Sequence, residues 1–298
     1  MATAPASSPA LTRTSGVRTA PPPRILRTIG HYALPAFTIL AIFYLLIPII
    51  VMIVFSFNDY QGKFNFVWNG FTLNGWLHPF SWEGLPEAIR TSLFIAFAST
   101  IFATILGTSI GLALTRYQFR GRGAINGLIF LPMATPEIVM GASLLTLFVA
   151  SATQSPVKDI VPKGTLFPLG IQTILIAHIM FNISYVVVTV KARLVGFDRR
   201  LEEAAMDLGA NEWTTFWRVT FPLILPGVLA AALLAFSLSI DDFIITYFVS
   251  GTTNTFPIWV YSIQRNALPV QINVIGSIVF LSAVGFVAIS NIIQARRR

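Results

Sequence analysis

Two groups of residues in this 298-residue chain have the types and spacing to do chemistry. The first is a set of carboxylates embedded in apolar sequence: Glu137 in the string P-E-I-V-M, and Asp241 and Asp242 in S-I-D-D-F, with Tyr247 close behind. A carboxylate at membrane depth costs at least roughly 2.5 kcal/mol, so it faces a cavity or a partner. The second group is Glu203, Ala204, Ala205, Asp207 and Gly209, in a charged loop between apolar stretches. Acids and small residues in that order make a surface on which another backbone can dock. Catalysis is a poor fit for either group. The chain has no cysteine, and its three histidines, His31, His78 and His178, are isolated, which leaves no pattern for metal or thiolate chemistry. No G-x-x-x-x-G-K-[ST] string occurs, so no cofactor is expected on this chain and any ATP would be bound by a separate subunit.

The elements that must position these residues are membrane helices. With 55% hydrophobic residues, 11% charged residues and a mean hydropathy of +0.73, the sequence predicts an all-α polytopic membrane protein. Six stretches reach the roughly 20 residues that cross a hydrocarbon core, at about 34–57, 91–115, 125–150, 170–190, 222–248 and 271–293. Of the 20 Lys and Arg, fifteen fall in the N-terminal segment, the second-to-third loop, the fourth-to-fifth loop and the tail. The other five are Lys63, Arg90, Lys158, Lys163 and Arg265. The positive-inside rule then puts both termini and the Glu203 loop in the cytoplasm. This placement, rather than nucleic acid, explains the formal charge of +8. Residues 1–30, rich in Ala, Pro, Ser and Thr with four Arg, read as a disordered basic cytoplasmic leader ahead of a domain at 31–298. The apolar run after it is longer than a signal-peptide core and lacks a small-residue cleavage pattern, so an uncleaved first span is expected.

Within the loop at about 191–221, Asp198 is placed to cap a short helix, with Glu202 and Glu203 in its first turn complementing the dipole. Leu201, Ala204, Ala205 and Leu208 follow one helical face, and Glu203 and Asp207 lie four apart on the other. Gly209 allows a left-handed turn, and Asn211 can cap a second short helix carrying Trp213, Phe216 and Trp217 toward the membrane. An interfacial amphipathic helix without a partner would show the same periodicity. The segment at about 58–90, with Trp68, Trp76, Trp82 and several Phe, either anchors in the membrane interface or docks an outside protein. Pro48, Pro132, Pro136, Pro222 and Pro226 imply bends that suit a moving pathway. With no internal repeat visible, a gate on a two-fold axis would need a second, similar subunit.

The string E-A-A, three residues, G, nine residues, then V-x-F-P (Glu203 to Pro222) resembles the EAA loop of the membrane subunits of ATP-binding-cassette importers, with Val219 and Phe221 standing for Ile and Leu. F-S-F-N (Phe55–Asn58), R-Y-Q-F-R-G (Arg116–Gly121), P-E-I-V-M (Pro136–Met140), V-V-V-T-V (Val186–Val190) and S-I-D-D-F (Ser239–Phe243) resemble the C-type permeases of spermidine/putrescine importers, from about residue 30 to 295. The resemblance implies a type I permease fold with six transmembrane helices in a bacterial inner membrane. It implies as partners a second permease, a cytoplasmic ATPase dimer, an extracytoplasmic substrate-binding protein and membrane lipid. By the same resemblance Glu203 would meet basic groups on the ATPase, Ala204 and Ala205 would allow close packing, and Gly209 would make the turn. Glu137, Asp241, Asp242 and Tyr247 either line a polyamine route or serve structurally. The structural alternatives are a break or cap of the fifth span at the two aspartates, their pairing with Arg265 or with the second permease, and an inter-helix hydrogen bond at Glu137. Hydrogen bonding between helices is expected of His178 and Asn182, four apart on one face. An importer for iron or phosphonate, or an ion-coupled carrier or channel independent of ATP, are the competing functions.

Overall fold

The structure, a computed structural model, describes residues 24–153 and 167–296. Over residues 1–23 the expected leader lies outside the described residues, as do Lys158 and Lys163. The chain is helical: α1 (Arg24–Phe55), α2 (Asn74–Leu77), α3 (Leu85–Arg116), α4 (Arg122–Ala134), α5 (Glu137–Thr153), α6 (Ile171–Val195), α7 (Arg200–Asp207), α8 (Glu212–Thr215), a π-helical turn (Phe216–Thr220), α9 (Phe221–Ile240), α10 (Ile244–Val249), α11 (Phe256–Ile263) and α12 (Val270–Arg296). Among the described residues the only β pairing is two isolated bridges, Asn58 with Phe71 and Phe64 with Leu268. The described residues divide into two units, one ending at Val54 and the other beginning at Phe55. In the first, α1 is apolar over Ala33–Phe55 and contains Pro35 and Pro48.

Among the described residues four helical segments are long and apolar enough to cross a membrane: Ala33–Phe55, Leu85–Arg116, Ile171–Val195 and Glu212–Ile240. The expected third span is not one straight helix. It is α4 and α5, bent by 109° at Thr135–Pro136, and counts as a fifth span only if the pair is taken together. The cause is local. Proline disfavours helical geometry in the residue before it, and Thr135 is extended at φ −82°, ψ 131°. Thr135 closes the helix with both its N–H and its Oγ1 donating to the Leu131 carbonyl, at 3.0 and 2.7 Å, and Pro136 has no N–H to continue it. The last expected span corresponds to α12, whose apolar stretch among the described residues, Val270–Gly285, is shorter than a full crossing. By length and composition the described residues contain four such spans, or five with the bent pair, and α12 stands where the sixth is expected.

The core lies where α3, α6 and α9 meet, at Ala103, Val186, Val190, Ile224, Val228, Ala231 and Ala235. Lipid tails are as apolar as these side chains, so close packing rather than transfer from water holds such helices together. Gly107 shows how close: a Cβ there would stand 2.7 Å from the Val186 Cβ. A second cluster, with Ile95, Phe148, Ile174, Ile245 and Val249, ties α5, α6 and α10 to α3. There Gly141 of α5 admits the Phe248 ring, which would lie 2.7 Å from an added Cβ.

The segment after α1 is ordered by the F-S-F-N string. Asn58 is fully buried, and its Nδ2 donates to Asn65 Oδ1 at 2.6 Å and to the Val67 carbonyl at 2.7 Å, while its Oδ1 accepts from Asn69 N–H at 2.8 Å. Phe57 stacks on Phe71 and Trp76, with centroids 5.5 and 5.2 Å away. The framework leaves Phe66, Phe71 and Phe80 exposed.

Candidate functional site

Two places gather the predicted residues. At the first, α9 ends at Ile240 and the chain turns through Asp241–Phe243 before α10 begins. Of the two adjacent acids, Asp241 is exposed, whereas Asp242 is partly buried and tied to its own segment. Asp242 Oδ2 accepts from Thr246 N–H at 2.8 Å and from Thr246 Oγ1 at 2.6 Å, and lies 3.3 Å from His178 Nε2. The buried His178 ring also contacts Thr246 Oγ1 at 2.8 Å through Nε2 and Ser239 Oγ at 2.6 Å through Nδ1. Ser239 Oγ is in turn 3.0 Å from Ser99 Oγ on α3. This network assigns Nε2–H as donor toward Thr246 and Asp242, with the Ser239 hydroxyl donating to Nδ1. Its effect is to pin the break between α9 and α10 to α6 and α3.

Removing the donor leaves a largely buried carboxylate short of a hydrogen bond, at a cost of roughly 1–3 kcal/mol. His178→Ala should therefore lower unfolding stability by about 2 kcal/mol. Denaturant titration of the purified subunit in detergent would read this, and an unshifted midpoint would show that the network carries no load. The expectation of inter-helix hydrogen bonds thus holds for His178. It does not hold for Asn182, which is fully buried with neither amide atom hydrogen-bonded.

Asp241 and Tyr247 face outward from the pinned segment, beside an aromatic cluster. The Phe243 ring is 5.5 Å from Tyr247 and 4.9 Å from Tyr261, and Tyr247 is 5.8 Å from Tyr261. Arg265 pairs with neither aspartate, contrary to one expected alternative. Its guanidinium sits 5.2 Å from the Tyr261 ring centre and donates to the Tyr261 hydroxyl at 2.9 Å. Glu137 is exposed in the first turn of α5, immediately past the bend. One turn on, Gly141 meets Phe248 of α10, so the three acids and Tyr247 belong to neighbouring elements. Exposed carboxylates near exposed aromatic faces can hold a cation; they offer no nucleophile with a base. Among the described residues no group of three or more potential metal ligands exists.

The second place is the loop between α6 and α9, built by three local signals. Asp198 Oδ1 accepts from Arg200 N–H at 3.0 Å at the start of α7; Gly209 takes φ +90° at its end; Asn211 Oδ1 accepts from Thr214 N–H at 2.8 Å and caps α8. Pro222 has no N–H to close a turn on Arg218, and the helix widens there into the π turn, in which Phe221 N–H donates to the Phe216 carbonyl. Glu203, Ala204, Asp207 and Gly209 are exposed and Ala205 is half-buried. The expected amphipathicity is turned over, however. Leu201 and Leu208 are 48% and 90% exposed, while Glu202 is 8% exposed. Glu202 faces inward because its partners are there: Oε1 accepts from Arg116 Nη2 and from the Thr220 hydroxyl. Arg199 Nη2 adds a bond to the Thr115 carbonyl at 3.2 Å. A cavity of about 950 Å³ opens beside this joint, lined by Tyr117, Glu203, Glu212, Trp213, Thr215 and Phe216 among others. Sequence reasoning missed Glu202 as an internal contact, since Arg116 lies 86 positions away.

Comparison with known proteins covers both places. Residues 103–297 match the family model described as binding-protein-dependent transport system inner membrane component. The chain is similar to the spermidine/putrescine transport system permease protein PotC of Haemophilus influenzae, at 36% identity over 88% of this chain and 96% of that one. It is also similar to PotC of Escherichia coli K12, at 38% identity over 84% of this chain and 89% of that one. The putrescine transport system permease protein PotI of E. coli K12 is 36% identical over 82% and 84%. Among solved structures, a chain of a bacterial ABC transporter that imports the acidic polysaccharide alginate superposes with a TM-score of 0.65 over 92% of this chain and 99% of that one, at 16% identity. A chain of the MetNI methionine ABC transporter gives 0.51 over 71% and 95%, at 18% identity.

Proposed function

Because the chain belongs to the binding-protein-dependent transport system inner membrane component family, and has the fold of ABC importer permeases, we propose that it forms half of a translocation pathway for polyamines of the spermidine/putrescine class. The observation that carries the substrate class is the near full-length similarity to permeases named for those solutes. The chemistry agrees with it: Asp241 and Glu137 are exposed carboxylates, and Tyr247, six positions after Asp241, is an exposed aromatic residue. Ammonium groups joined by short alkyl chains suit both kinds of surface.

In this reading the chain is a transport subunit without enzymatic activity of its own, integral to the inner membrane, with both termini in the cytoplasm by the distribution of Lys and Arg. A second permease completes the pathway and an extracytoplasmic binding protein delivers the solute. A pair of ATPase subunits grips α7 through Glu203, Asp207 and the small residues Ala204 and Ala205, with Gly209 shaping the turn. ATP binding closes that pair, α7 moves with it, and the central cavity exchanges inward for outward access.

Purifying the subunit with its genomic neighbours and scanning solutes for stimulated ATP hydrolysis tests the assignment. Spermidine or putrescine should raise the rate in the presence of the binding protein. Stimulation by ferric iron or phosphonate, with none by polyamines, would reassign the substrate.

A further inference from the structure

We infer that Glu202 is a positioning residue that fixes the docking helix α7 to two spanning helices at once, so that displacement of α7 reaches the bundle without slack. The inference rests on the importer reading above. It starts from a mismatch between the length of α7 and its order. Eight residues are too few to hold a helix by propensity. Packing of its own apolar side chains does not supply the difference either, because Leu201, Met206 and Leu208 are all exposed.

The buried contact is Glu202. One carboxylate oxygen takes the Arg116 guanidinium, in the last turn of α3, and the hydroxyl of Thr220, the last residue of the π turn that leads into α9. Arg116 is itself held, since it complements the negative end of the α3 dipole and lies 5.9 Å from the Phe197 ring centre. Arg199, just ahead of α7, bonds the Thr115 carbonyl of the same helix end. The joint therefore connects α7 to α3 and to the α9 entrance by charge and hydrogen bonds, while Glu203, the next residue and exposed, lines the cavity beside the joint and stays open to a partner. The division of labour between adjacent acids is an outward one that docks and an inward one that transmits.

The π turn adds a reason for the tie to be placed there. A widened turn is a point at which a helix yields. With Thr220 bonded to Glu202, motion of α7 is delivered on the α9 side of that point.

The test uses the complete reconstituted complex and reads the number of solute molecules imported per ATP hydrolysed. Glu202→Gln keeps a hydrogen-bond acceptor for Thr220 and removes the charge that holds Arg116. The complex should assemble and hydrolyse ATP, with import per ATP falling roughly tenfold, within the range of coupling changes from internal contacts. The exchange Arg116→Glu with Glu202→Arg restores the pair in reverse, and should bring the ratio back to within about threefold of the unmodified complex. A Glu202→Gln complex that is less abundant or less stable, yet imports at the normal ratio, would overturn the inference by showing that Glu202 only helps the loop fold. A normal ratio at normal abundance would overturn it as well. Failure of the importer reading looks different, because the unmodified complex would then show no ATP-driven import at all.

Discussion

Glu203→Lys is expected to abolish ATP-driven uptake, by a hundredfold or more, while leaving the subunit folded in the membrane. The side chain is exposed on α7, and the charge is set beside the exposed Ala204. If basic groups of the ATPase meet that carboxylate, a lysine brings like charges together in a contact that excludes water. Such juxtaposition costs several kcal/mol, and each ~1.4 kcal/mol is a factor of ten in affinity. Co-purification of the ATPase should fall with uptake, and Glu203→Gln should lose less, because it removes an attraction without adding a repulsion. Since α7 is held by the buried Glu202 rather than by the exposed Glu203, the unfolding midpoint of the isolated subunit should not move. A Glu203→Lys complex that retains its ATPase and imports normally would remove the docking role.

Asp241→Asn should raise the polyamine concentration for half-maximal uptake by about tenfold to a hundredfold, the equivalent of roughly 1.5–3 kcal/mol for a hydrogen bond to a charged group. The neighbouring Asp242→Asn should behave differently. Asp242 is engaged by Thr246 and His178, so its neutralisation loosens the pinned break between α9 and α10 and shows first as lost stability. Uptake of labelled spermidine and putrescine at equal membrane abundance, paired with denaturant titration of each variant, separates the two. Unchanged uptake in Asp241→Asn would take this carboxylate out of the route. Equal stability of Asp242→Asn and the unmodified chain would undo the structural assignment of its neighbour.

Local signals made the α7–α8 loop legible in advance. Asp198, Gly209 and Asn211 act on backbone groups within a few residues: Gly209 and Asn211 do in the structure what their chemistry predicts, while Asp198 accepts from Arg200 N–H from one position ahead of the cap, which Arg199 occupies. The orientation of α7 was not legible, because periodicity identifies two faces without saying which one the protein covers. Covering an acid became favourable only through Arg116 and Thr220, and Arg116 comes from a distant helix. A bend at Pro136 could be expected from the residue, but its size, 109°, depends on what α5 packs against, and Gly141 against Phe248 is part of that. Likewise Asp241 and Asp242 are indistinguishable as adjacent letters. Their separation into an exposed and a tethered acid is set by His178, on α6, and Thr246, on α10. Asn182 sits one turn from His178 with equal hydrogen-bonding capacity, yet no acceptor or donor of a neighbouring helix reaches it.

The most direct measurement is uptake of labelled spermidine into proteoliposomes holding this subunit, its companion permease and the ATPase pair, with binding protein supplied on the opposite side from ATP. Accumulation that requires ATP and the binding protein, and that stops with Glu203→Lys, is the predicted result. Accumulation driven by an ion gradient without ATP, or by this subunit reconstituted alone, would contradict it.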